Sequence, residues 1–313
     1  MNKLYSLKRN AVPVEASGFP EFQDTEPGQP QSNGLDASIG EILRDSQKLT
    51  TEEVERVLAQ QRQTGARFGD AAIALGYVNR HDSLWALARQ FRYPYADQRG
   101  SVVHHHPELY MANEPFSDEV EAFRDLRSHL LMGTMSPQFR KRALAVVSAD
   151  VGDGKTFLAA NLAAAFSQLP GRTLVVDCDM RSPRLHQLFG LDNAIGLSNI
   201  LCGRSEPNVI RPIGDLPNLY VLPVGAVPPN PLELIQSSTF ALLLQELVHK
   251  FDYVLLDTPA AAFGSDAKLI AARAGAALVV GRRNCTRTSK AQQFVAQLTK
   301  ASVAIAGVVM NDG

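Results

Sequence analysis

The chain has 313 residues, 45% of them hydrophobic and 20% charged, enough to bury one large core with a smaller one beside it. Its 31 Lys and Arg against 32 Asp and Glu give a formal net charge of −1, which supplies no global pull toward nucleic acid, and no nucleic-acid partner is expected. No apolar run approaches the roughly 20 residues needed to span a bilayer, and the cysteines Cys178, Cys202 and Cys285 are odd in number and lack metal-ligand spacing, so a cytoplasmic location is expected.

Residues 1–36 carry Pro13, Pro20, Pro27 and Pro30 among Gly, Ser, Gln and acidic residues with no helical or strand period, the composition of a disordered arm. A helical signal follows from about Ser38 to Phe91 and repeats at an offset of 29 residues. Gly40 aligns with Gly69, Leu49 with Val78, Leu58-Ala59 with Leu87-Ala88, and Gln61 with Gln90. Thr50 and Glu53 have capping-box spacing, and Val54, Val57, Leu58 and Gln61 follow at helical period. Residues 37–96 are therefore expected to form a small all-α domain of two similar hairpins sharing one core.

This stretch resembles the N-terminal domain of type II secretion and pilus-assembly ATPases, some of which bind cyclic di-GMP through two copies of an Arg-Leu-Gly…Gly…Gln pattern. The second copy keeps Arg67, Phe68, Gly69, Gly76 and Gln90, which the resemblance implies as a cyclic di-GMP site. The first copy has Ser38 where the arginine would stand and Gln47 where the second glycine would stand. A cyclic dinucleotide site and a plain docking module both remain open.

Pro94, Gly100, Pro107 and the run His104-His105-His106 mark a linker, placed at 97–114. Adjacent histidines on an extended segment point alternately to opposite sides and cannot all converge on one ion. Ser117 then caps a helix running to about Gly133, with Val120, Phe123, Leu126, Leu130 and Leu131 in one apolar stripe. Arg127 falls inside that stripe, so a buried partner or a second subunit is expected to meet it.

From Ala143 the pattern alternates strand and helix. Strands are predicted at Ala143–Val147, Thr173–Asp177, Leu219–Leu222, Tyr253–Asp257, Ala276–Val280 and Ala304–Val309. Helices are predicted at Phe157–Gln168, Thr239–Lys250, Asp266–Ala272 and Ser289–Lys300. Near-continuous apolar strands separated by helices imply a mostly parallel sheet covered on both faces.

Between the first strand and helix lies Ser148-Ala149-Asp150-Val151-Gly152-Asp153-Gly154-Lys155-Thr156, a polar glycine loop opening into a helix, the form of a phosphate-binding P-loop. Ala149 stands where the first glycine of that motif usually sits. Asp177 and Asp179 share one side at the end of a strand, and Asp257 ends another. Ligands collect at the carboxyl ends of parallel strands, so these carboxylates can converge with Lys155 and Thr156. Thr156 offers a hydroxyl to Mg²⁺, a cation that prefers oxygen ligands.

The combination of Ser148–Thr156, Asp177-Cys178-Asp179-Met180-Arg181-Ser182-Pro183, Gly225…Pro228-Pro229-Asn230-Pro231 and Asp257-Thr258-Pro259 resembles the bacterial tyrosine kinases, a P-loop NTPase family that controls polysaccharide export. The likeness covers residues 115–313. With its helical extension, the chain looks like the exopolysaccharide chain-length-determinant kinases of the EpsG type. The resemblance implies ATP and Mg²⁺ as cofactors, with nucleotide contacts from Gly152, Asp153, Gly154, Lys155, Thr156, Phe157 and Asn311. It implies metal contacts from Thr156, Asp179 and Asp257, and catalytic roles for Lys155, Asp177 and Asp179, with Asp177 orienting or deprotonating a tyrosine hydroxyl. Glu121, Arg124 and Arg127 match the family's Glu-x-x-Arg-x-x-Arg helix, which implies a ring-like homo-oligomer.

Two departures shape the expectation. The last tyrosine is Tyr253, inside a predicted strand, so the acceptor is expected elsewhere. The membrane-spanning activator segment fused to many relatives is absent from the sequence, so a separate membrane polysaccharide copolymerase is the expected partner, recruiting the protein to the inner face of the cytoplasmic membrane. The competing readings are a non-kinase ATPase acting as an assembly switch, and a partitioning or positioning ATPase. Asp150 stands where the partitioning class carries a lysine early in the loop. The basic run Arg282, Arg283, Arg287 and Lys290 reads as a solvated face.

Overall fold

The computed structural model describes residues 38–90 and 106–312, apart from residues 116, 137, 205, 206, 215 and 217. The expected arm at 1–36 and the first part of the linker lie outside the described residues. Four helices come first: α1 (Ile39–Asp45), α2 (Thr51–Thr64), α3 (Phe68–Ala74) and α4 (Arg80–Gln90). Then come α5 (Tyr110–Asn113), α6 (Asp118–Met132), β1 (Ala143–Ser148), α7 (Lys155–Ser167), β2 (Thr173–Asp177), α8 (Leu185–Leu188), α9 (Leu197–Leu201), β3 (Arg211–Pro212) and β4 (Leu219–Leu222). The chain continues through α10 (Pro231–Gln236), α11 (Ser238–Lys250), β5 (Tyr253–Asp257), α12 (Asp266–Ala274), β6 (Gly275–Arg282), α13 (Thr288–Lys300) and β7 (Ala304–Asn311).

The repeat is visible in the helical unit. Its helices recur in pairs, Ile39 to Phe68 and Thr51 to Arg80, each 29 positions apart. Equivalent positions are buried together: Gly40 with Gly69, Leu43 with Ala72, Leu49 with Val78, and Val57 with Ala86. Both Ser38 and Thr50 close capping boxes, with Glu41 and Glu53. Gln47 adopts φ 57° where its counterpart Gly76 has φ 73°, so the first copy makes the same left-handed turn without a glycine. One phase differs from expectation. Leu58 and Leu87 are 36% and 37% exposed, because the inward ridge runs through Val57 and Ala86, one residue earlier. Inside this small core Lys48 donates to Asp82 at 2.6 Å and lies 4.1 Å from the Trp85 ring centre, a buried pair whose charges are satisfied by each other and by the aromatic face.

The remaining strands form a seven-stranded sheet in the order β3-β4-β2-β5-β1-β6-β7. Every neighbouring pair is parallel except β3 with β4, and β1 lies between β5 and β6. Inner strands β1 and β2 are buried at every position, as expected when helices cover both faces. α7 is buried almost all round, which explains an alanine-rich sequence without a polar stripe.

One further correction concerns the linker, and Arg127 meets one of its two expected kinds of partner. Residues 106–114, expected in the linker, are packed: Leu109, Met111 and Ala112 are buried, and Asn161 of α7 donates to Glu108 O and accepts from Met111 N–H. Arg127 finds its partner within the chain, donating to Ala165 O at 2.5 Å and to Gln168 near the end of α7, where a cation suits the helix dipole. Arg124 likewise bonds Glu121 at 2.8 Å and Pro115 O.

Candidate active site

The β1–α7 loop begins at Ser148, the last residue of β1, and reverses direction through Gly152 at φ 83° and Gly154 at φ 93°. Side chains are disfavoured at such angles. A Cβ on Gly154 would also stand 2.1 Å from Asn311 Nδ2, so loop and sheet end fit only around a glycine there. The first turn of α7 then opens at Lys155 and directs its free N–H groups and positive dipole end at the loop's concavity. Lys155, 8% exposed, donates from Nζ to Ser148 Oγ at 3.0 Å, and Ser148 Oγ–H donates to Asp150 O at 2.7 Å.

Three carboxylates meet beside it. Asp177 and Asp257 are register partners at the ends of β2 and β5, so parallel pairing alone sets them side by side on the same face. Asp177 and Asp257 are fully buried, and Asp179 is 8% exposed. Asp177 accepts backbone N–H bonds from Asp179 and Leu185, and Asp179 Oδ1 accepts from Arg181 and Ser182, which fixes both carboxylates. No hydrogen bond of good geometry reaches either carboxylate oxygen of Asp257 among the described residues, although the Thr156 hydroxyl and Thr258 N–H lie near it. Burial pushes the Asp177 carboxyl well above the usual carboxylate range, and the charges of Asp257 and Asp179 push it further. Burial likewise lifts Asp257 to about 7, against the pull of the nearby Thr156 hydroxyl and Lys155 ammonium.

A buried carboxylate with both oxygens unused is costly unless a cation completes it. The donor set fits Mg²⁺, which typically takes one or two carboxylates and fills its other positions with phosphate oxygens and water. No cluster of three or more His, Cys, Asp or Glu closes round one point among the described residues, and such an ion needs none.

The structure adds contacts around the loop that sequence reasoning missed. Asp153 is held by Asp150 N–H at 3.1 Å and by the Thr286 hydroxyl at 2.6 Å, and its carbonyl accepts from Asn311 Nδ2 at 3.2 Å. Lys290 is exposed with the rest of the basic run, as expected of a solvated face, and from there its Nζ lies 2.7 Å from Asp150 Oδ1. Arg181 forks onto buried Asp266 at 3.1 and 3.2 Å. Apart from the Asp150–Asp153 contact, none of these pairings has a local signal, since Thr286 and Asp153 are separated by 133 positions. Thr286→Val removes a hydrogen bond to a charged group, worth about 1.5–3 kcal/mol. Because that bond is made without nucleotide, the melting temperature should fall by several degrees and a fluorescent nucleotide should bind more weakly; unchanged melting and affinity would show the clasp to be dispensable.

Four likenesses bear on this geometry. A family described as the CobQ/CobB/MinD/ParA nucleotide binding domain matches residues 144–312. YwqD, a tyrosine-protein kinase of Bacillus subtilis, is 30% identical over 198 residues, 63% of this chain and 83% of its own length. The chain belongs to the bacterial tyrosine-kinase family. Another member, the tyrosine-protein kinase wzc of Salmonella typhimurium, is 35% identical over 204 residues, 65% of this chain and 28% of its own length. The chain thus matches little more than a quarter of that larger kinase. The solved kinase domain of Escherichia coli tyrosine kinase ETK superposes with a TM-score of 0.61 at 30% identity, covering 70% of this chain and 88% of that domain. Among the described residues of this family member, no helix is long and apolar enough to cross a membrane.

Proposed function

We propose that the chain is an ATP- and Mg²⁺-dependent protein tyrosine kinase that regulates exopolysaccharide chain length and export. The observation that carries this reading is the buried cluster of Asp177, Asp179 and Asp257 beside Lys155 and Thr156, with both oxygens of Asp257 unused. The likeness to named tyrosine kinases supports the reaction type.

Lys155 holds the β- and γ-phosphates, and the first N–H groups of α7 cradle them. Gly152, Asp153 and Gly154 shape the loop, Phe157 anchors the start of α7 against Tyr110 and Phe123, and Asn311, tied to Asp153 O, lies beside the loop for contact with the base. Thr156, Asp179 and Asp257 would hold Mg²⁺, which when bound neutralises phosphate charge. Asp177, immobilised by two backbone N–H groups and raised in pKa, orients the attacking hydroxyl and accepts its proton. Phosphoryl transfer asks mainly for positioning and charge neutralisation, which this set supplies.

The expected partner is a membrane polysaccharide copolymerase that brings the protein to the inner face of the cytoplasmic membrane. Glu121, Arg124 and Arg127 lie along α6 as the candidate face for a ring-like homo-oligomer. Residues 37–96 form the docking module. Exposed Arg67 and Gln90 with half-buried Phe68 keep cyclic di-GMP as its candidate ligand, and calorimetric heat that survives Arg67→Ala would remove that site.

The deciding experiment incubates the full chain with labelled ATP and Mg²⁺, with and without a tyrosine-containing polymer or the cytoplasmic part of a membrane partner. Phosphotyrosine should form and should vanish with Asp177→Asn. ATP hydrolysis without phosphotyrosine on any acceptor would instead indicate an assembly-switch or partitioning ATPase. Against the partitioning reading stands Asp150, which is neutralised within the chain by Lys290.

A further inference from the structure

At the edge of the sheet opposite the phosphate loop, the turn between α6 and β1 and the start of β5 enclose a cavity of about 180 Å³. Met135, Phe139 and Tyr253 give it apolar walls, and Arg140, Lys141 and Arg142 line its mouth. An apolar cavity of about 150 Å³ holds a benzene ring, so this one has room for an aromatic side chain. Thr134 is also in the lining, and its buried hydroxyl has no hydrogen-bond partner among the described residues. Met132 and Phe139 extend the apolar surface at 73% and 55% exposure.

The charge around the cavity is one-sided. Lys141 pairs with Asp252 at 3.1 Å, and the same carboxylate accepts from Arg172 N–H at 2.9 Å. Arg140 and Arg142 have no acidic partner among the described residues. Three basic side chains thus line the cavity against one carboxylate, a surface suited to an acidic segment that carries aromatic residues.

Such a segment exists in this chain. Between Glu15 and Glu26 the sequence holds Glu15, Glu21, Asp24 and Glu26 with Phe19 and Phe22, and no lysine or arginine occurs between Arg9 and Arg44. We propose that the cavity bounded by Thr134, Phe139, Arg140, Arg142 and Tyr253 is the docking site for the acidic, aromatic segment Glu15–Glu26. Phe22 or Phe19 enters the cavity, and the flanking carboxylates meet Arg140 and Arg142. This surface lies away from the transfer chemistry and stands independently of it.

The test titrates a fluorescein-labelled peptide of residues 13–28 into the full chain whose own arm carries Glu21→Lys and Asp24→Lys. Saturable binding that weakens with added salt is expected, falling at least tenfold when the protein also carries Arg140→Glu and Arg142→Glu, and falling again when the peptide carries Phe22→Ala. A thermal melt confirms that the charge-reversed chain still folds. Absence of peptide binding, or binding indifferent to the reversed arginines, overturns the proposal. Co-sedimentation with phosphatidylserine vesicles that depends on Arg140 and Arg142, without peptide binding, overturns it in favour of a lipid surface. In the unmodified chain, carbodiimide treatment should couple Lys141 to Glu21, Asp24 or Glu26 as read by mass spectrometry, and coupling of Lys141 to Asp252 alone counts against it.

Discussion

Replacing Asp257 by asparagine is expected to abolish phosphoryl transfer and, at the same time, to make the nucleotide-free protein more heat-stable. Asp257 is fully buried with both oxygens unpartnered, so its charge weakens the fold until a cation arrives. The sign follows from its raised pKa. An unfolded aspartate titrates near 3.9, whereas burial holds the folded carboxyl up at about 7. The folded chain keeps its proton where the unfolded chain loses it, so stability is full in acid and is lost as pH rises through about 7. Asparagine removes that loss. At pH 8 a gain of roughly 1–3 kcal/mol is expected after allowing for an amide that must find its own hydrogen bonds. The melting temperature should rise by several degrees at pH 8 and by little at pH 5. Turnover should fall about 10²–10³-fold or more, as when a group that stabilises transition-state charge is removed. A variant that melts lower than the parent at pH 8 would contradict the unused-carboxylate reading.

Lys155→Met is expected to lose transfer to a similar extent with the opposite effect on stability. The Lys155 ammonium opposes the burial effect on Asp257, so its removal leaves the carboxylates less compensated. Ser148 Oγ also loses the donor now 3.0 Å away. The nucleotide-free protein should melt lower, and nucleotide affinity should fall because Lys155 is the cation placed over the phosphates. Combining it with Asp257→Asn should recover stability without activity, since the two residues share one electrostatic environment and their effects on folding are not independent. Additive melting shifts in the double variant would show that they do not interact.

Much of the fold was legible because its signals are local. The apolar run Leu144–Val147, the glycine loop and the alanine-rich helix announce one another within a short stretch, and each predicted strand falls within one or two residues of an observed one, β6 and β7 running on to Arg282 and Asn311. The short elements α8, α9, β3 and α10 were not seen, since segments of two to six residues carry too little period to register. The 29-residue repeat was readable from aligned glycines and apolar residues, but the helix phase was not: Leu58 is more apolar than its neighbours yet faces outward, because packing against the other hairpin chose Val57.

The sequence by itself determined the loop Ser148–Thr156, the aspartates at strand ends and the family they mark, because these depend on residue type at fixed short spacing. Only the tertiary structure decided that Asp177 and Asp257 stand side by side, since that follows from the pairing of β2 with β5 across 80 positions. It also decided that Arg127 turns inward onto α7, and that Thr286, Lys290 and Asn311 hold the loop from the far end of the chain. The physical reason is the same throughout. A glycine's left-handed turn or a strand's alternation is a property of neighbouring residues, whereas the partner of a buried charge is chosen by which distant groups the folded sheet brings within hydrogen-bond reach.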